Sequence, residues 1–304
     1  MRKDFAIIIV MMLAAMSSCC QKCKNARGAE ETKVYCYKDS CKHLQFSISL
    51  EVPVGTDNAS TLIRDSLVAD FMLNCRQLGY FQDEFCIDAY TGDLTDVQAV
   101  VDYFGKAGYD FILKDAISDY EDRITYVEES TTYSAEEKEE LKKEMPKWIF
   151  ELSTYQSADT LGFVLYQSEG YTYMGGAHGG VIGSGSLTFD KKTGKKIDRF
   201  VKADATEALQ PMIRQGLVEY YRGDGDDFDD SDLDGRLLID DKTIPQPVAI
   251  PCPDLTGDSL VFTYQQYEIT CYADGMPTFA VAVKDLMPYL TDEGKALLEQ
   301  CKKK

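Results

Sequence analysis

Apolar and polar residues alternate strictly over "LQFSISLEV", with Leu44, Phe46, Ile48, Leu50 and Val52 in every second place. A period of two over nine positions predicts a strand with one buried face. From Asn58 the spacing changes. Ile63, Leu67, Phe71 and Cys75 fall four apart, which predicts a helix ended by Gly79. "TDVQ" at Thr95 to Gln98 fits a capping box and opens a second helix through Val97, Val101 and Phe104. Gly105 and Gly108 weaken that helix before Phe111 and Ile112 resume the pattern. "SAEEKEELKKEMP" predicts a short helix capped by Ser134 and stopped at Pro146, its acids first and its lysines last as the macrodipole favours.

The chain then turns to strands. "KWIFELSTY" puts Trp148, Phe150 and Leu152 on one face, "TLGFVLYQSEGYTYM" follows, and "GSLTFDKKTGKKI" reads as a strand and a turn. "DATE" at Asp204 to Glu207 caps a further helix through Leu209, Ile213, Leu217 and Tyr220. After an acidic loop, "SLVFTYQQYEITCYADGMPTFAVAV" supplies two or three strands, and a terminal helix carries Leu297 and Leu298. Strands flanking runs of helices, without a repeated βαβ rhythm, predict an α+β fold of two domains, antiparallel sheets with packed helices.

The first residues, "MRKDFAIIIVMMLAAMSSCC", add a compartment. Arg2 and Lys3 precede an apolar run from Phe5 to Met16, then small residues and cysteine, in the order of an export signal. The run is about twelve residues, too short for a bilayer core of roughly 30 Å. "MSSC" resembles a bacterial lipobox, with Cys19 acylated as the new first residue and Cys20 as an alternative. The expected layout is a signal peptide over 1–18, a polar linker over 19–43, and domains over 44–174 and 175–301. The expected location is the bacterial cell envelope, exported and lipid-anchored, on the periplasmic or surface face of the outer membrane.

The 304 residues carry 32 basic and 51 acidic side chains, a net charge of −19. Such a chain repels phosphate backbones, which argues against nucleic acid, and favours a cationic partner. Ten cysteines in an exported protein invite disulfides. Acylation of Cys19 leaves an odd number, so at least one is unpaired or bonds another chain. Near-neighbour pairing gives Cys36–Cys41, Cys75–Cys86 and Cys252–Cys271 as hypotheses, since spacing does not fix connectivity.

"YTYMGGAHGGVIGSG", residues 171–185, surrounds His178 with glycines. The chain has only one other histidine, His43. No serine-hydrolase elbow, zinc-protease motif, phosphate loop or dinucleotide fingerprint accompanies it, so no catalytic residue, metal or cofactor is expected. Gly175, Gly176, Gly179 and Gly180 are read as supplying positive φ or close backbone approach, with His178 bracing the bend. As a binding surface the candidates are Gly175, Gly176, His178, Gly179, Tyr171 and Tyr173. The tyrosines Tyr171, Tyr173, Tyr264, Tyr267 and Tyr272 either stack on sugar rings or cover a sheet face. Asp230, Asp232, Asp234 and Asp241 match the oxygen spacing of a calcium loop. A solvated acidic loop is the alternative.

"YMGGAHGG", "FDKKTGKKI" and "YQQYEITCYADGMPTFAV" together resemble the extracellular region of RsiV-type proteins, a domain family of unknown function. The preceding order of strand, helices and paired strands resembles the domain that comes before the catalytic domain of PdaC-type peptidoglycan deacetylases. The resemblance implies an envelope binding module, because RsiV-type proteins bind lysozyme. Such anti-sigma factors have a membrane span and a cytoplasmic segment, whereas this chain has a lipobox. The expected function is therefore recognition of lysozyme or peptidoglycan fragments without catalysis, with membrane attachment through the lipid. The competing expectation is a cell-wall glycan hydrolase using carboxylates in a cleft.

Overall fold

The computed structural model describes residues 31–78, 85–176, 180–222, 227–239 and 243–301. Cys19, His178, Gly179 and Asp241 lie outside the described residues.

The fold is α+β, with a five-stranded sheet in the order β1-β2-β3-β4-β5 and a three-stranded sheet β6-β7-β8. The strands of the first are β1 (Thr32–Ser40), β2 (Leu44–Pro53), β3 (Trp148–Asp159), β4 (Phe163–Tyr173) and β5 (Val181–Asp190). The pair β2–β3 is parallel, so this sheet is mixed rather than wholly antiparallel. The helices α1 (Asn58–Arg76), α2 (Val97–Glu129) and α3 (Ala135–Lys143) form the connection that a parallel pair requires.

Alternation along β2 buries Leu44, Phe46, Ile48, Leu50 and Val52 to 1% exposure or less, against α1 and α2. Asp57 caps α1, accepting from the amides of Ala59 and Ser60. Asp96, rather than Thr95, caps α2 and accepts from Ala99 N, because Thr95 is turned to Asp93. Gly105 and Gly108 do not interrupt α2. They face the sheet, where a Cβ on Gly105 would lie 2.2 Å from Tyr37 Cγ and one on Gly108 2.9 Å from Phe46 Cζ. The glycines that lower helix propensity are thus what lets the helix approach the sheet. Ser134 and Glu137 form the capping box of α3.

Thr32–Ser40 falls in the stretch read as a linker, yet it is strand β1 and pairs along its whole length with β2. As an edge strand it buries little, so its hydrophobic pattern is weak. Tyr35 and Tyr37 are half-buried on the helix side, while Val34 is 48% exposed.

The second core lies between the far ends of β3 and β4, α4 (Thr206–Arg222) and β6 (Cys252–Pro253), β7 (Ser259–Thr263) and β8 (Thr278–Ala282). Tyr221 rather than Tyr220 fills the core side of α4. Beyond β8 come α6 (Val283–Leu286) and α7 (Asp292–Cys301). The two cores share β4: Val164 and Tyr166 face the first, Phe163 and Leu165 the second. The hairpin β4–β5 crosses the 174/175 boundary, and β5 completes the first sheet.

The acidic stretch read as a loop contains α5 (Asp230–Arg236). Asp229 caps it, Asp232 closes a capping box, and Leu233 enters the second core. Aspartates here act as cap and first-turn acids, where the helix dipole favours them. Among the described residues no helix is long and apolar enough to cross a membrane.

None of the three cysteine pairings forms: Cys36, Cys41, Cys75, Cys252 and Cys271 are thiols. Cys75 sits inside the first core and Cys252 inside the second, whereas Cys36 and Cys271 face solvent.

Candidate functional site

The period of two that buries one face of β2, β3 and β4 presents the alternate residues on the other. Glu51 on β2, Glu151 and Tyr155 on β3, and Glu169, Tyr171 and Tyr173 on β4 therefore share the face away from α1 and α2, all half-buried. Along β4 this face begins as Phe163 and Leu165, covered by the second core, and continues into the polar set. Register places Glu151 beside Tyr171 and Ser153 beside Glu169. Glu169 Oε1 accepts from Tyr155 Oη at 2.8 Å, and Glu151 Oε1 from Gln45 Nε2 at 3.3 Å. Glu51 accepts from the Thr32 hydroxyl and, at 2.9 Å, from Gln156 N. Among the described residues none of these three carboxylates takes part in an ion pair.

The second domain supplies one border of this face through the segment between β7 and β8. Gln265 clamps β5: its Oε1 accepts from Ser184 N at 2.7 Å and its Nε2 donates to Ser184 O at 2.8 Å. Glu268 holds that segment, accepting from Gln265 N and Val248 N at 2.7 Å each. Burial raises the Glu268 carboxyl above the ordinary range, although both amides favour its charge. Tyr272 donates to Gly180 O at 2.9 Å, and its ring lies 5.8 Å from that of Tyr267. Tyr267 is 56% exposed and holds φ at 65°, so a strained backbone displays an aromatic ring at the rim. Burial raises the Tyr171 hydroxyl, with Tyr272, Tyr173 and Glu151 close enough to add to the effect.

Of the residues expected at the site, Tyr171 and Tyr173 come together with Tyr272, while Tyr264 is fully buried and donates to Pro245 O at 2.8 Å. Gly175 has φ +70° and Gly180 lies under the Tyr171 ring, where a Cβ would come within 2.1 Å of Tyr171 Cε2. Gly176 faces open space. Arg123 of α2 braces the bend: Nη2 donates to Met174 O at 2.8 Å, Nη1 to Gly175 O, and Nε pairs with Asp119 at 2.8 Å. Trp148 Nε1 donates to the same Asp119 at 2.9 Å. Arg123, Gln265 and the three glutamates carried no motif. Only the glutamates had a signal, their alternation along strands.

His43 lies elsewhere, edge-on to Tyr120 with ring centres 4.7 Å apart. Arg214 occupies the calcium-loop candidate, bonding Asp230 and Asp234 at 2.7 Å each. No group of three or more metal-ligating side chains gathers among the described residues. Two depressions, of about 390 and 230 Å³, lie at the start of α1 and beside Tyr103, away from the glutamate face.

Residues 198–284 match the family described as "Protein of unknown function (DUF3298)". No curated protein matches the chain. Two crystal structures share the fold. A member of the DUF3298 family from Bacteroides fragilis has a TM-score of 0.57 and 19% identity, over 92% of this chain and 100% of that one. A DUF3298 family protein from Pseudomonas aeruginosa has a TM-score of 0.51 and 13% identity, over 87% and 95%. This chain thus carries a DUF3298 domain at residues 198–284, in a two-domain layout consistent with that of these relatives.

Proposed function

We propose that the protein is a lipid-anchored recognition module of the bacterial envelope that binds a cationic protein of the lysozyme kind and performs no catalysis. The observation carrying this reading is the sheet face on which Glu51, Glu151 and Glu169 stand among tyrosines with no ion pair to a cation among the described residues. Carboxylates held by neutral donors are left to pair with lysine or arginine of a partner, and adjacent tyrosine faces attract the same cations. The net charge of −19 would steer such a partner inward. The lipobox at Cys19 and the resemblance to RsiV-type and PdaC-type domains support the location and the role.

Calorimetry of the chain with lysozyme, and separately with muropeptides, tests the proposal. Binding to lysozyme at low salt should weaken as salt rises. Glu151→Gln with Glu169→Gln should lower affinity about tenfold, as two partly exposed charge contacts of about 0.7 kcal/mol each would give. Silence with both ligands, or an affinity indifferent to salt and to both substitutions, would remove the proposal. So would turnover of wall glycan that is lost in a folded His178→Ala variant.

A further inference from the structure

The two edges of the five-stranded sheet are treated differently. At β5, Gln265 engages both backbone groups of Ser184 as a neighbouring strand would. At β1 no strand pairs with the outer side among the described residues. Parity shows which backbone groups are left. Val54 N donates to Glu31 O at 3.0 Å, extending the β1–β2 ladder, so the odd residues of β1 point to β2. Thr32, Val34, Cys36, Lys38 and Ser40 therefore turn their N–H and C=O outward. Two side chains engage these outward groups among the described residues: Gln98 Nε2 donates to Cys36 O at 3.5 Å, and Asp39 Oδ1 accepts from Ser40 N at 2.8 Å.

The sequence of this edge is complementary to itself. Set antiparallel across a two-fold axis at Cys36, "TKVYCYKDS" brings Lys33 opposite Asp39 of the second copy, and the reverse. The same register sets Tyr35 opposite Tyr37, Thr32 opposite Ser40, the Lys38 stem beside Val34, and Cys36 opposite its own equivalent. Opposite charges, aromatic pairs and hydroxyl pairs are the cross-strand partners that stabilise antiparallel strands. Moving the axis one residue either way sets Lys33 opposite Tyr37 or Cys41, and no charge is matched. Within one copy neither Lys33 nor Asp39 takes part in an ion pair among the described residues: Lys33 lies over the Tyr35 ring and Tyr37 donates to Asp39. In this register the even residues, whose groups point outward, form the hydrogen-bonded pairs, so direction and chemistry agree. Lysines commonly blunt a sheet edge. In this register Lys33 would instead meet Asp39 of the second strand.

From this we infer that β1 is a homodimer interface, which joins two five-stranded sheets into one of ten strands with Cys36 on the axis. A single strand pair buries little surface, so the association is weak and transient in solution. Gln98 would release Cys36 O, and Asp39 the Ser40 amide, to the incoming strand.

The test treats membranes bearing the full chain with a short bismaleimide, each alkene of which adds one thiol. A species of twice the monomer mass should form and be absent in Cys36→Ser. Asp39→Lys makes both charge pairs repulsive and should lower the cross-linked fraction about tenfold, which is about 1.4 kcal/mol. Lys33→Asp combined with Asp39→Lys should restore it. Monomer alone from a chain whose Cys36 reacts with a monomaleimide overturns the inference. A dimer that survives Cys36→Ser or Asp39→Lys, or one that the double swap does not restore, overturns it equally. All three residues lie on the surface strand, and an unchanged melting curve checks that each variant is folded.

Discussion

Gly175→Ala tests whether the glycine cluster shapes main chain, and Gly176→Ala is its internal control. Gly175 has φ +70°, where a Cβ costs about 1–2 kcal/mol. That Cβ would also lie 3.0 Å from Arg123 Nη1 and 3.1 Å from Pro146 Cγ. Arg123 is tied to Asp119 and to two carbonyls, so it yields only by weakening a charged hydrogen bond. That adds about 1 kcal/mol after allowance for its partial exposure. The total of about 2–3 kcal/mol corresponds to a fall in Tm of roughly 4–10 °C for a chain of this size. A Cβ on Gly176 meets nothing within 4 Å, so its alanine should change stability by no more than about 0.5 kcal/mol. Scanning calorimetry on both variants gives the comparison. Equal melting temperatures for the two would show that residue 175 does not need the left-handed backbone, and the account of the bend would fail. Gly175→Asn should fall between them, because asparagine tolerates that region better than alanine.

Two further outcomes follow from other parts of the molecule. Because Arg214 already neutralises Asp230 and Asp234, millimolar calcium should leave the melting temperature unchanged, whereas Arg214→Ala should destabilise α5 by about 1 kcal/mol. A calcium-dependent rise in the wild-type protein would refute this. Burial raises the Asp70 carboxyl above its ordinary range despite Lys196 and Asn74, so the folded chain holds that proton more tightly than the unfolded one. Its contribution is present below the unfolded value, about pH 4, and is lost as pH climbs through the folded value. Asp70→Asn should therefore flatten that decline in denaturant titrations made across this range, and an unchanged slope would exclude Asp70 as its source.

The α+β class and most elements were legible because burial imposes a period, and β2, α1 and α4 carry it cleanly. What failed to show had a physical reason in each case. Of its apolar and aromatic residues the edge strand β1 buries only Tyr35 and Tyr37, each in part, so its alternation is faint. The helix α5 is built from aspartates of low propensity, and its stability comes from Asp229, Arg214 and the burial of Leu233 in the folded chain. Gly105 and Gly108 read as helix weaknesses because their partners, Tyr37 and Phe46, lie about sixty residues away. At the candidate site, Tyr171 and Tyr173 stood out through their neighbouring glycines. Glu51, Glu151 and Glu169 did not, since single carboxylates on three strands acquire a common meaning only through register.

That register also explains why the acidic face lies where it does. β4 keeps one period from Phe163 to Tyr173, so the same side of one strand serves two environments. Where α4 and the second sheet press against it, Phe163 and Leu165 are buried; beyond that contact, Gln167, Glu169, Tyr171 and Tyr173 are half-open. Extending the cover by two residues would bury Gln167 and Glu169 without a cation to meet the carboxylate, at a cost of several kcal/mol. The bend after β4, braced by Arg123, and the Gln265 clamp on β5 fix the strands on which that uncovered stretch stands. The second domain thus packs on the sheet and also sets the length of the face left uncovered. A variant that loosens the clamp, such as Gln265→Ala, should therefore weaken the proposed binding of lysozyme without touching a carboxylate. It would do so by letting the Tyr267–Tyr272 border move, and unchanged affinity in that variant would place the partner's contacts on β2 and β3 alone.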